Sequence, residues 1–303
     1  MAAPTHQLVV KTLQAFTHVE WGLLALGSLA ASWAFIFVEG FLGVPREPYF
    51  SGSFFCGGTA VSSLIGAVVA IPIGLALATL IAGSVEVEAA LFCCCMGLVG
   101  LAIQCGPIRP VLQMASGPAV YLAMSLETAA LLASLFFSWK FLQKPLSRVT
   151  PSRIKEMRLP TSNEISSATI GQIAQTVAAQ VVITALVEMT FLQSDAPAQA
   201  ICAVFLSGFL GALGAYLFNP VSGSQWYWIG PGIVGVIGYL LTFFSPSGLN
   251  IGEATGWTAA LVRATPLQYA GAGTAGAILG FWCNRRWHQP EAEETTETQI
   301  SGV

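Results

Sequence analysis

Charge is what this sequence lacks most. Asp, Glu, Lys and Arg make up 9% of its 303 residues, against about a quarter in a soluble domain. Asp195 is the only aspartate, which excludes an intramembrane protease built on two Asp. The three histidines, His6, His18 and His288, lie towards the ends of the chain. That placement argues against a bis-His haem within a bilayer, a helix-borne H-E-x-x-H zinc protease and a Ser–His hydrolase. No phosphate-binding glycine loop occurs, and no basic surface suits nucleic acid. The start lacks a basic stretch followed by an apolar core and a cleavage site, so no secretory leader is expected. Of the seven cysteines, Cys93, Cys94 and Cys95 are consecutive. On a helix they diverge by about 100° each and cannot chelate one ion together. Only Cys56 and Cys105 fall near one face, and nothing in the pattern demands that they pair. Neither metal nor cofactor is expected, and the chain is not expected to be an enzyme.

What is abundant is apolar surface. Hydrophobic residues are 54% of the chain and the mean hydropathy is +0.70. A soluble fold of this size could not hide so much, because over half of an ordinary protein surface still faces water. The expected class is an all-α, polytopic integral membrane bundle. About 20 apolar residues cross a hydrocarbon core of roughly 30 Å. Eight such stretches are legible: Trp21–Leu42, Phe54–Ala82, Ala89–Gln104, Pro118–Leu142, Ser166–Leu192, Ala198–Phe218, Trp226–Phe244 and Leu267–Cys283. The third and eighth are short. Lipid offers backbone amides no partner, so every stretch should be helical. Apolar residues at helical spacing before the first stretch (Val9, Leu13, Phe16) suggest an interfacial helix over 1–20.

Basic residues set the threading. Lys11, the run Lys140, Lys144, Arg148, Arg153, Lys155 and Arg158, and the pair Arg285 and Arg286 fall on one side of an eight-span chain, nine of the twelve Lys and Arg. Only Arg46, Arg109 and Arg263 fall on the other. The expectation is a plasma (inner) membrane protein with both termini cytoplasmic. The basic stretch 146–164 reads as a linker between two halves, 21–145 and 165–284, and 285–303 as an acidic, disordered tail.

The halves look related. One offset lays Ala30 on Ala179, Val38 on Val187 and Glu39 on Glu188. An offset one residue shorter lays Pro118 on Pro266 and Tyr121 on Tyr269. These matches suggest a tandem four-plus-four duplication with its pseudo-axis along the membrane normal. A rival alignment lays Ser116, Gly117 and Tyr121 on Ser222, Gly223 and Tyr227 and implies three-plus-three inverted repeats.

Polar chemistry is concentrated in a few places. Glu39 and Glu188 occupy matched positions just before the outer end of a span. In the fifth span, Gln172, Thr176, Gln180, Thr184 and Glu188 follow one another at i+4 steps. Each step drifts about 40°, so they form a slowly winding stripe. Polar groups in lipid must find partners, so the stripe should face other helices, as packing glue or as the lining of a path. Glu127 lies deepest, about 14 Å into its span at 1.5 Å per residue, and an intramembrane carboxylate is a functional candidate. Pro72 and Pro231 should bend their spans. The glycine-rich runs 208–214 and 271–280 should allow close helix contact. The expected function is passage of a small solute or ion, with Glu127 as the binding or proton-coupling group. Glu188 and Glu39 would form an outer gate, with Gln172, Thr176, Gln180 and Thr184 along the path. The alternative is a non-catalytic subunit of a larger membrane complex. Expected partners are the lipid bilayer, a small solute or ion, and further copies of this chain or other membrane subunits.

Overall fold

A computed structural model describes residues 18–41, 60–86, 88–104, 107–109, 112, 117–149, 169–221, 223–244 and 260–287. The interfacial stretch before His18, most of the basic linker, most of the 245–266 segment, the acidic tail, Cys56 and Cys105 lie outside them. Among the described residues the chain is helical, with no strand. The principal helices are α1 (His18–Phe41), α2 (Ala60–Ala82), α3 (Ala89–Gln104), α4 (Ala119–Val149), α5 (Ile170–Phe191), α6 (Pro197–Phe218), α7 (Gly230–Phe244) and α8 (Thr274–Trp287). A one-turn helix, Gln225–Trp228, precedes α7. The helical turn Pro266–Gln268 and a π-helical turn, Tyr269–Gly273, lead into α8.

Six segments are long and apolar enough to cross a membrane: within α1, α2 and α4, the whole of α5 and α6, and Gln225–Phe244. The protein is a membrane-embedded helical bundle. The other two segments, the ones read as short in the sequence, fall outside this set. Helix α3 has 16 residues, about 24 Å at 1.5 Å per residue. The eighth is interrupted by its π turn. Their burial gives the physical reason. Ala89–Cys95 of α3 is buried except for Phe92, and Ala264–Ala277 is buried throughout. Helices wrapped by other helices need not match the thickness of the lipid.

Packing follows from where side chains are missing. Helix α1 packs on α2 and α3, α5 on α6, α4 on α7, and α6 on α8 with its π turn, which also lies against α3. A Cβ at Gly276 would strike the carbonyl oxygen of Phe205, one at Gly280 that of Phe209, and one at Gly208 that of Gly273. The α6 and α8 backbones therefore touch directly, as the two glycine-rich runs led one to expect. The cysteines of α3 diverge. The Cys93 thiol meets the Leu24 carbonyl of α1 at 3.3 Å, and the Cys94 thiol meets the Ile71 carbonyl of α2 at 3.8 Å.

Helix starts and breaks are encoded locally. Thr169 and Gln172 form a capping box for α5, and Thr265 and Gln268 form another at the start of the eighth segment, where Pro266 needs no amide partner. Pro72 sits inside a continuous α2. Pro231 instead lies in the first turn of α7, just past the break at Ile229. Gly117 (φ 111°) and Gly223 (φ 114°) adopt left-handed backbone ahead of α4 and of the Gln225 turn, a conformation that favours glycine.

The α6–α8 seat yields a prediction. Gly276→Ala places a methyl against a backbone carbonyl that cannot step aside, and should cost about 1–3 kcal/mol. Gly22→Ala, where nothing lies within 4 Å, should leave the thermal midpoint unchanged or slightly raised. Thermal unfolding of the two variants in detergent, followed by size-exclusion fluorescence, checks the pair.

Candidate functional site

Helix α5 is built inside out. Its buried residues are Thr176, Gln180, Thr184 and Glu188, while Val182 and Leu186 are more than half exposed. The apolar face meets lipid and the polar stripe meets protein. The Thr176 hydroxyl lies 3.0 Å from both the Gln172 and Asn219 carbonyls. Gln180 Nε2 donates to the Tyr227 carbonyl. The Thr184 hydroxyl donates to the Ser207 carbonyl at 3.4 Å. Glycines make the room: a side chain at Gly230 would collide with Gln180, and one at Gly211 with Thr184. Gln172 stands apart from the other stripe residues, exposed at the helix start, where its side chain accepts from the Thr169 amide at 3.0 Å.

The C-terminal end of the stripe opens into a buried cluster around Glu188. Ser207 of α6 donates to Oε1 at 2.9 Å and the Tyr269 hydroxyl meets Oε2 at 3.0 Å. The same two hydroxyls also approach backbone carbonyls, Ser207 that of Val204 at 2.8 Å and Tyr269 that of Leu261 at 2.6 Å. Tyr239 of α7 stands edge-on to Tyr269, with ring centroids 6.1 Å apart, and donates to the Ala264 carbonyl. A side chain at Gly235 would strike the Tyr269 ring. Arg263 donates to the Leu192 carbonyl at 3.1 Å. This ties the entry of the eighth segment to the C-terminal end of α5, where a cation is favoured.

Glu127 is fully buried on α4, facing the bundle interior, as are its neighbours Ser125 and Thr128. Tyr239 lies within electrostatic reach of Glu127, of Glu188 and of Tyr121. Tyr121, which one sequence offset lays on Tyr269, also has a buried hydroxyl. Glu39 belongs to α1, and its side chain lies outside the described residues. The structure thus brings Glu188, Tyr239 and Glu127 into one region, strings Thr176, Gln180 and Thr184 along α5 towards it, and leaves Gln172 at the helix start.

A second polar cluster closes the opposite end. Arg285, near the end of α8, pairs with Glu86 at 2.9 Å and Glu88 at 3.6 Å, both on the α2–α3 connection. Its guanidinium also lies 5.8 Å from the centre of the Phe281 ring. Neighbouring Asn284 donates to the Leu213 carbonyl of α6 at 2.9 Å. The sequence reading passed over Glu86 and Glu88. The available signal was E-x-E in a short turn on the side where the basic residues collect. Ser207 left no signal, because a lone serine in an apolar helix reads as small-residue packing.

The chemistry on offer is that of acids, phenols, hydroxyls and amides, all oxygen-rich. Such groups bind and release protons or hold a cation through oxygen ligands.

Arg285→Ala would leave Glu86 and Glu88 buried without their guanidinium. Stranding a buried ion-pair partner costs about 3–5 kcal/mol, and the expected result is a large loss of folded, monodisperse protein. Glu86→Gln with Glu88→Gln in the Arg285→Ala background should recover part of it, as size-exclusion profiles of the three forms would show. Set against known proteins, the chain matches no family model, no curated protein and no solved structure.

Proposed function

We propose that this protein passes a small solute or ion across the bilayer, with the buried carboxyls of Glu127 and Glu188 as its proton-coupling or binding groups. One observation carries the reading. Glu188 is fully buried in a membrane bundle, and its two oxygens are held by hydroxyls. A carboxyl so placed can change protonation when its surroundings change, and structural needs alone would be met more cheaply by apolar packing. Glu127 is the deeper group, and Tyr239 lies within electrostatic reach of both carboxyls. Thr184, Gln180 and Thr176 continue the polar surface inward, and Glu39 is the outer counterpart in the first half.

Threading by eight crossings, with both termini cytoplasmic in a plasma membrane, is part of the proposal. It puts Arg285 on the same side as Glu86 and Glu88, Asn219 on the side of Gln172, and Arg263 on the side of Leu192, and each of these sets is in contact. The four-plus-four duplication draws support from the pairing of α1 with α2 and α5 with α6, and of α3 with the eighth segment and α4 with α7. The shared left-handed glycines, Gly117 and Gly223, favour the inverted alternative.

An accessory, non-catalytic subunit is the second reading. It is favoured by the use to which Thr176, Gln180 and Thr184 are put. Each bonds a backbone carbonyl outside its own helix, which is a packing role.

Pyranine-loaded vesicles containing the purified protein, challenged with imposed H⁺, Na⁺ or K⁺ gradients, test the proposal. Wild-type protein should give pH-dependent flux. Glu127→Gln should fold and abolish it, whereas Glu127→Leu should also impair assembly by stranding polar neighbours. Normal flux in the Gln variant would make Glu127 a structural acid. No flux under any gradient, with a stoichiometric partner chain retained on purification, would favour the subunit reading. Thr150→Cys should resist an impermeant thiol reagent added to intact cells and react after permeabilisation, and labelling from outside would invert the threading.

A further inference from the structure

The Glu188 cluster holds more short contacts than its hydroxyl protons can serve. Tyr269 has one proton and faces two acceptors, the Leu261 carbonyl at 2.6 Å and Glu188 Oε2 at 3.0 Å. Ser207 has one proton and faces the Val204 carbonyl at 2.8 Å and Glu188 Oε1 at 2.9 Å. A charged carboxylate draws hydroxyl protons into bonds of about 2.5–2.7 Å. Here both carboxyl contacts are longer than that, and the shorter of the two contacts of Tyr269 runs to a neutral carbonyl. One added proton on the carboxyl gives three protons for the four contacts and serves both contacts of Tyr269, leaving only the approach of Ser207 to the Val204 carbonyl without one. Glu188 O–H then donates to the Tyr269 oxygen, Tyr269 donates to Leu261, and Ser207 donates to the remaining carboxyl oxygen.

Tyr269 is also the first residue of the π-helical turn Tyr269–Gly273. Single π turns inside helices recur at functional sites. Return to α geometry would rotate the ring by about 100°, away from Glu188. The turn carries two glycines, Gly271 and Gly273, and is packed against α3, α6 and α7. The titratable and charged groups around Glu188 are Tyr269, Tyr239 of α7, which Glu127 and Tyr121 of α4 also influence, and Arg263, whose guanidinium is engaged with the Leu192 carbonyl. Helix α6 adds the Ser207 hydroxyl.

We propose that Glu188 is a proton-binding site, presenting a neutral carboxyl to the Tyr269 hydroxyl, and that Tyr269 couples the bound proton to the π-helical turn. Loss of the proton charges the carboxyl, pulls the Tyr269 proton away from Leu261 and releases the segment between residue 261 and the turn. The assignment deepens the passage reading by naming the proton as the ligand of the outer carboxyl. Its test needs no flux, so the two can fail separately.

The probe is the proton itself, read by infrared difference spectroscopy of vesicle-embedded protein at neutral pH. Wild type minus Glu188→Gln should contain the C=O stretch of a protonated, hydrogen-bonded carboxyl. Ser207→Ala should keep that band and raise its frequency, because the donor to Oε1 is gone. A difference spectrum showing only the symmetric and antisymmetric stretches of a carboxylate would overturn the proton assignment. Coupling is read by amide hydrogen exchange over 269–273. Tyr269→Phe should speed exchange there by roughly tenfold or more, about 1.4 kcal/mol of lost protection. Glu188→Gln, whose amide can still donate to Tyr269 and accept from Ser207, should stay within a factor of a few of wild type. Unchanged exchange in a folded Tyr269→Phe variant would remove the coupling. Fast exchange in Glu188→Gln equal to that of Tyr269→Phe would do the same.

Discussion

Everything in this bundle depends on one constraint: a polar group removed from water must be answered by another polar group of the protein. Helix α5 shows how the constraint shapes a fold. Its four buried side chains are all polar, so the helix is held to the bundle through hydrogen bonds where a soluble helix would bury a greasy stripe. Each bond needs a neighbour at one particular depth. Asn219 and Tyr227 serve the N-terminal half of α5, and Ser207 and Tyr269 the C-terminal half. The i+4 drift of about 40° per step turns the stripe from the connection after α6 towards α6 itself and the eighth segment, so a winding stripe is satisfied by successive partners. Glycine is the complement of this arrangement. Gly230 and Gly211 leave space for Gln180 and Thr184, and a methyl at either place would separate donor from acceptor.

The same constraint explains why the two segments that fall short of an uninterrupted crossing helix, α3 and the eighth, are deeply enclosed. Long helices α1, α2, α4, α5 and α6 face lipid on one side, and their lengths answer to the bilayer. Helix α3 and the eighth segment answer only to their neighbours. They tolerate a truncated length, a run of three small thiols and a π turn, because every irregular backbone group there is enclosed by protein.

How much was legible in the sequence follows from the range of the interactions. Class and helix positions are one-dimensional properties, and composition with span length carried them. The inward face of α5 was legible as well, since i+4 spacing fixes which side chains share a face. The Gln172 position was misleading at that level. It fits the stripe by spacing, yet a threonine three residues earlier recruits it as a cap. The partners of Glu188 could not be read. Tyr269 lies 81 residues away in sequence, and Ser207 is one hydroxyl among many small residues. Only the match of Tyr121 to Tyr269 marked that tyrosine as more than a span opener. The short length of the third and eighth stretches was legible but its reason was not, because hydropathy does not distinguish a helix bathed in lipid from one bathed in other helices.

The two ends of the molecule solve the problem of a buried acid in opposite ways. At the Arg285 end, two carboxylates share a guanidinium. Removing the guanidinium would strand both carboxylates, so this arrangement depends on Arg285. At the Glu188 end the acid is held by hydroxyls, which can donate or accept by turning about one bond. Charged and neutral forms of that carboxyl can therefore both be accommodated with small movements, and the difference between them falls on whichever backbone carbonyl loses its hydroxyl. The Leu261 carbonyl is the one exposed to that choice through Tyr269, and Leu261 leads directly into Arg263, the Thr265 cap and the π turn. The eighth segment thus has one end pinned by charge and the other set by the position of a hydroxyl proton. A helix anchored in this way can respond to protonation at one end only, which places its adjustable part at the π turn and its fixed part at Arg285.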